Sequence, residues 1–133
     1  MTTLLLRAVT ILTLATSTAV AASTPVTFAM DENGMEYSAL QTESSWMAVE
    51  VPLSALGGSV PGDLGITVSG LPAGTAVVLD RVDTVAQTAL LYVTVSRSDT
   101  STTVNAVAQI AVTSGGTVRT TVAIPVYGAA YDH

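Results

Sequence analysis

Residues 104–126 read VNAVAQIAVT-SGG-TVRTTVAIPV, two alternating runs on either side of a double glycine. In the first run every second residue from Val104 to Val112 is apolar. The apolar residues of the second run are Val118, Val122, Ile124 and Val126. A period of two is typical of half-buried β-strands, and Gly-Gly suits the positive φ of a tight turn. The stretch therefore predicts a β-hairpin. Pro125 lacks an N–H, so we expect an edge or a bulge there.

Shorter runs with the same character fill the rest of the chain. We predict further strands at Val26–Met30, Met35–Leu40, Trp46–Leu53, Leu64–Ser69, Thr75–Asp80 and Thr88–Ser96. The breaks between them carry turn residues, above all Asn33-Gly34 and the stretch Leu71-Pro72-Ala73-Gly74. Seven or eight short strands at such intervals indicate an all-β antiparallel sandwich or a small barrel.

One part of this pattern resembles a known family. The segment Ile66–Thr75, followed by Leu91–Val95 and the Gly-Gly hairpin, resembles bacterial immunoglobulin-like modules, which include fibronectin-III-like β-sandwiches. Such modules occur in secreted, cell-surface and carbohydrate-active proteins. The resemblance implies a single immunoglobulin-like antiparallel β-sandwich.

The N-terminal residues 1–22 have the features of a secretory signal peptide. Arg7 supplies a positive charge, an apolar run follows, and small residues lead to Ala21 and Ala22, where we expect cleavage. The alternative is an uncleaved membrane anchor, but Arg7 and several threonines interrupt the apolar stretch that a span requires. We therefore predict an exported protein (periplasmic, secreted or on the cell surface) with one mature domain, residues 23–133, and no later membrane span.

Composition excludes several classes of partner and site. Of the 133 residues, 49% are hydrophobic and only 11% are charged, which suits a chain that buries a core. The net charge of −6 opposes binding to phosphate backbones, so we expect no nucleic-acid partner. Cysteine is absent, which removes disulfides and thiolate chemistry.

The sequence offers no convergent set of acid-base residues. The single histidine, His133, is the last residue, where chain ends are poorly ordered. Asp83-Thr84-Val85 is similar to an aspartic-protease strand, but the glycine that should follow is missing. Asp80 and Asp83 form a possible carboxylate pair that is more typical of a solvated turn. We predict that the protein is not an enzyme and needs no cofactor.

Two groups of residues are candidates for ligand binding. Asp31, Glu32, Asn33 and Glu36 carry the hard oxygen ligands that calcium prefers, although the Asn-Gly turn also accounts for them. Tyr37, Trp46 and Tyr127 are candidates for stacking on a sugar, which requires coplanar rings on one face. We expect Trp46 to belong to the core instead.

The sequence favours a secreted or surface-exposed non-catalytic module that acts by protein contact, in adhesion, surface association or subunit assembly. The alternative is a small carbohydrate-binding module, with a polysaccharide as ligand. Edge strands are the natural contact sites of a sandwich. Thr24–Met30 either pairs with a neighbour's edge or closes its own sheet, and self-closure is the default for an isolated domain.

Overall fold

The computed structural model describes residues 24–131, so the predicted leader and His133 lie outside the described residues. Within this range no helix is long and apolar enough to cross a membrane. A single 3-10 turn, Leu53–Leu56, accompanies the strands of the described chain. The strands are β1 Ala29–Met30, β2 Glu36–Tyr37, β3 Leu40–Gln41, β4 Ser44–Pro52, β5 Gly65–Ser69, β6 Thr75–Val85, β7 Thr88–Arg97, β8 Val104–Ser114 and β9 Thr117–Gly128.

The strands form two sheets that enclose one core. One sheet has the order β2-β1-β4-β7-β6, and the other has the order β3-β9-β8-β5. If the two-residue strands β2 and β3 are set aside, β1, β4, β7 and β6 face β5, β8 and β9. This is the strand order of a constant-type immunoglobulin sandwich. The predicted all-β sandwich is confirmed.

The predicted hairpin is formed by β8 and β9. Gly115 and Gly116 make the turn with φ values of 61° and 78°. The inward-facing side chains of both strands are buried: Val104, Ala108, Ile110, Val112, Val122, Ile124 and Val126. The prediction that Val118 shares the buried face of the second strand is wrong, because its side chain is 55% exposed. The register of β8 and β9 shifts beside Val112, so that Arg119 is an extra residue without a partner on β8. Between this bulge and the turn, the alternation of inward and outward side chains is therefore reversed, and Val118 faces outward.

The opposite wall of the core is formed by β4 and β7. It consists of Met47, Val49, Val51, Ala89, Leu91, Val93 and Val95, each no more than 1% exposed. Burial of each such aliphatic side chain contributes about 1.5–3 kcal/mol, so the core alone can hold a domain without disulfides. Trp46, expected in this core, is 41% exposed. A register shift between Ser44 and Met47 leaves Ser45 and Trp46 at the surface.

The segment at the start of the described chain joins the two sheets. The N–H of Thr27 donates to the carbonyl of Ala123 (3.0 Å), whose own N–H donates to the carbonyl of Pro25 (2.8 Å). This parallel bridge precedes β1, which pairs antiparallel with β4. In this structure Thr24–Met30 therefore closes the sheets of its own chain.

Strand β9 is bordered by two short parallel segments and not by a full strand. The first is the bridge at Ala123, and the second is β3, which pairs with Val126 and Tyr127. The sheet is therefore mixed where the sequence predicted only antiparallel pairing. Ala123 and Tyr127 direct main-chain groups towards these segments. Pro125 lies midway between Ala123 and Tyr127, so its main-chain nitrogen faces the same outer side of β9. Its missing N–H therefore removes no hydrogen bond between β9 and β8, as predicted for an edge.

Candidate functional site

The four outermost strands of the sandwich differ in how well they are protected from pairing with another chain. Strands β2 and β3 have two residues each, too few to template a long partner. Strand β6 carries Asp80, Arg81 and Asp83, and its register shifts between Leu79 and Arg81. Short length, charge and bulges are the features that prevent edge-to-edge association. Strand β5 has none of the three protective features.

Strand β5 is an open, regular and uncharged edge. It runs Gly65-Ile66-Thr67-Val68-Ser69 and pairs only with β8, in unbroken register. Ile66 and Val68 pack against the core, whereas Thr67 and Ser69 are exposed. The backbone groups on its outer side have no strand partner among residues 24–131. This edge can therefore accept an added strand.

A groove of about 250 Å³ lies next to this edge, at the opening between the two sheets. It is lined by Val68, Ser69, Leu71, Thr75, Ala76 and Val77. Its walls combine apolar side chains with polar groups, and they stand beside the outward backbone groups of β5. Added strands obtain affinity from main-chain hydrogen bonds and specificity from pockets for alternate side chains. The edge and the groove together provide both.

The outer face next to β5 is almost uncharged. The four strands of its sheet contain one charged residue, Arg119, while the five strands of the other sheet contain six: Glu36, Glu50, Asp80, Arg81, Asp83 and Arg97. Val107 and Tyr127 are each 48% exposed on this four-stranded sheet. Interface centres are depleted of charge. Because the chain has a net charge of −6, the electrostatic repulsion of another acidic molecule is weakest on this side.

The outer face of the five-stranded sheet has an apolar patch that is already covered. Ala48, Leu90 and Tyr92 are 0–5% exposed there, with Met30 packed against them. The guanidinium carbon of Arg81 lies 3.8 Å above the Tyr92 ring and shields it. The chain's own side chains thus occupy this patch.

Arg97 connects four parts of one end of the sandwich. Its side chain is only 2% exposed, and its Nε donates to a Glu43 carboxylate oxygen at 3.1 Å. Its terminal nitrogens donate to the carbonyl oxygens of Thr102 (2.6 Å), Gly128 (3.3 Å) and Ala129 (2.6 Å). The residue therefore has a structural role, and it was not singled out from the sequence.

Among the carboxylates of residues 24–131, Glu50 has a strongly raised pKa. Burial and a hydrogen bond with Glu36, whose carboxylate also repels it, raise the pKa of Glu50 to about 7. Its Oε2 atom is buried and has no hydrogen-bond partner in the described chain. Glu50 lies on β4, in the middle of the five-stranded sheet, with Glu36 of β2 as its carboxylate neighbour. We therefore interpret the pair as a pH-dependent element of stability.

The raised pKa predicts that stability falls as the pH rises. The ordinary pKa of 4.5 applies in the unfolded chain, so the folded state binds the extra proton between pH 4.5 and about 7. Stability is full below this window and declines through it, by about 1 kcal/mol after allowance for solvent screening. Urea unfolding at pH 5 and pH 8 measures the decline. Glu50→Gln should abolish it, whereas the exposed control Glu32→Gln should not; an unchanged pH dependence in Glu50→Gln would contradict the assignment.

The calcium candidates are placed in separate interactions. Asp31 accepts hydrogen bonds from the N–H groups of Asn33 (2.9 Å) and Met35 (3.0 Å) and from the Tyr37 hydroxyl (2.8 Å). These bonds lower the pKa of Asp31. Glu32 instead pairs with Arg81 at 3.4 Å, and Glu36 with Glu50. Among residues 24–131 no cluster of acidic side chains is able to hold a metal ion.

The aromatic candidates do not form one flat platform. Tyr37 and Trp46 meet edge to face, with ring centroids 5.4 Å apart and an interplanar angle of 69°. Tyr127 lies in the other sheet, on β9. Stacking on a sugar requires rings that share a plane, and this trio does not provide it.

The acidic residues considered for catalysis are also engaged separately. Asp80 accepts a hydrogen bond from the Thr94 hydroxyl at 2.6 Å, and Asp83 lies 3.5 Å from Arg81. Both residues are exposed on the edge strand β6. Their role in the fold is to keep that edge charged.

Comparison of the chain with protein-family models, curated proteins and solved structures gave no match. The sequence analysis did identify Leu64–Ser69 as a strand, but not as an edge. Its lack of charge did not mark it as an edge, because the interior strand β8 also has no charged residue.

Proposed function

We propose that this protein is an exported, non-catalytic module that acts by protein contact and accepts a partner strand along β5. The observation that carries the proposal is the contrast among the four edges of the described sheets, since β5 combines five residues of regular pairing with the absence of any charge. Export is inferred from the signal-peptide features of residues 1–22. Adhesion, surface association and subunit assembly all use contacts of this kind.

The mode of binding follows from the geometry of an edge strand. A partner strand extends the four-stranded sheet by pairing with the outward backbone groups of β5. Its alternate side chains enter the groove next to Val68 and Leu71. Specificity then depends on small or β-branched side chains at the inward positions, since the groove has a volume of only about 250 Å³ and is lined by both polar and apolar groups.

The proposal predicts that a charge on the β5 edge disrupts binding. Thr67→Lys should weaken binding to proteins of the source's own extracellular fraction at least tenfold, because a lysine on an edge opposes strand addition. Asn105→Lys is the matched control, since it places the same charge on an exposed position of β8 in the same sheet. Circular dichroism checks that both variants fold, and biolayer interferometry measures binding.

Two results would contradict this proposal. Equal binding by the Thr67→Lys variant and the wild type would show that contacts do not use β5. Saturable binding to a polysaccharide, lost in Trp46→Ala but kept in Thr67→Lys, would favour the carbohydrate-binding alternative.

A further inference from the structure

We infer that the strand accepted by β5 is β5 of a second copy of this chain, paired antiparallel about a two-fold axis through Thr67. The inference rests on the proposed function, since it names the partner of the same edge.

The register of this pairing is self-complementary. A two-fold axis at Thr67 places Thr67 opposite the partner's Thr67, Ile66 opposite the partner's Val68, and Gly65 opposite the partner's Ser69. The core-facing side then has β-branched pairs, and the outer side has a Thr–Thr pair between small residues, both favourable across strands. A slip of one residue would place Ile66 opposite Thr67 and mix core and surface positions.

The charges near the edge are compatible with the same arrangement. Asp63 precedes β5, and its carboxylate accepts hydrogen bonds from the Ser114 hydroxyl and the Gly115 N–H, both at 2.7 Å. In the antiparallel pairing Asp63 lies opposite the partner's Leu71, so the two carboxylates are at opposite ends of the interface. Two chains of net charge −6 thereby meet along their uncharged strands.

The pairing also explains how association would stop at two copies. Two-fold pairing uses the β5 edge of both chains and produces one continuous eight-stranded sheet. The ends of this sheet are the two copies of β3, which has only two residues. Such short ends do not template further strands, so the assembly is closed. The groove by Val68 would receive the partner's Ile66.

The absence of cysteine from the chain permits a direct test. Residues directly opposite in an antiparallel pair have Cα atoms about 4.5–5.5 Å apart, within the range that a disulfide spans. Thr67→Cys should therefore form a covalent dimer under mild oxidation. Ser69→Cys is the matched control, because it lies on the same strand and face but its two copies would be about 13 Å apart. We expect Thr67→Cys to cross-link at least tenfold faster, and sedimentation to show a wild-type dimer.

The outcomes separate this inference from the proposed function. Equal cross-linking of the two cysteine variants, with a wild-type monomer at concentrations up to about 1 mM, would overturn the dimer. If Thr67→Lys nevertheless abolishes binding to another protein, β5 is a contact edge for a different partner. If the dimer is absent and Thr67→Lys has no effect on any protein contact, both ideas are wrong.

Discussion

Replacement of Arg97 by methionine is expected to lower the free energy of unfolding by about 3 kcal/mol. The guanidinium group is nearly inaccessible to water and donates to the Glu43 carboxylate and to three carbonyl oxygens. Methionine fills much of the volume but satisfies none of these acceptors. Glu43 is 33% exposed, so its carboxylate can be partly hydrated once the arginine is removed. The expected destabilisation is therefore at the lower end of the range known for breaking a buried ion pair. Urea unfolding, followed by Trp46 fluorescence, measures the loss.

Two further variants make this prediction specific. Arg97→Lys should lose less stability than Arg97→Met, because an ammonium group can still pair with Glu43 but cannot reach all the carbonyls. Arg81→Met should have a much smaller effect, since the Arg81 side chain is 52% exposed and its ion pairs at 3.4 and 3.5 Å are open to water. Equal losses at the two arginines would show that burial of Arg97 does not matter for stability.

Replacement of Gly70 by alanine is expected to lower the free energy of unfolding by about 3 kcal/mol, from two additive causes. Gly70 has φ +89°, a conformation that L-residues avoid. An added Cβ would also lie 2.6 Å from the carbonyl oxygen of Val107, which belongs to β8 and cannot move without disturbing the sheet. Denaturant unfolding of the variant measures the change.

Gly62→Ala is the control for this substitution. A Cβ on Gly62 would meet nothing within 4 Å, and the residue is not in the left-handed region. Its stability should change by less than about 0.5 kcal/mol. Because Gly70 follows β5 directly, Gly70→Ala should also weaken any contact made by that edge. A stable Gly70→Ala variant would contradict the close approach of the Ser69–Leu71 turn to β8.

The larger strands were predictable because their residues carry a clear period. The β8–β9 hairpin has alternation on both sides of Gly115-Gly116, and the structure has the same turn. The Asn33-Gly34 turn was equally visible, and Ala29–Met30 pairs with Glu36–Tyr37 around it. In both cases the turn residue and the apolar pattern indicate the same answer, so local and global preferences agree.

Other features left no local signal. Strand β6 continues to Val85, beyond the predicted end at Asp80, because the turn to β7 uses Ala86 at φ 54°. No glycine or asparagine marks this turn, so composition does not reveal it. The bulges that expose Val118 and Trp46 depend on the register with a neighbouring strand. Register across strands is a tertiary property that one segment does not encode alone.

The candidate site was only partly accessible from the sequence. Its strand was predicted, and its lack of charge was readable. Its position at the edge depends on the strand order β3-β9-β8-β5, which follows from the packing of the whole chain. The same holds for Arg97, whose partners come from residues distant in sequence.

The bridge between Val26 and Ala123 also has a consequence for the time course of folding. These residues lie near opposite ends of the described chain, so closing this contact requires a long loop to be ordered first. Domains rich in such distant pairings fold slowly, on the scale of milliseconds to seconds. The sandwich cannot be completed until β9 is available. The proposed export would benefit from that delay, since a polypeptide must be unfolded to be threaded through an export channel.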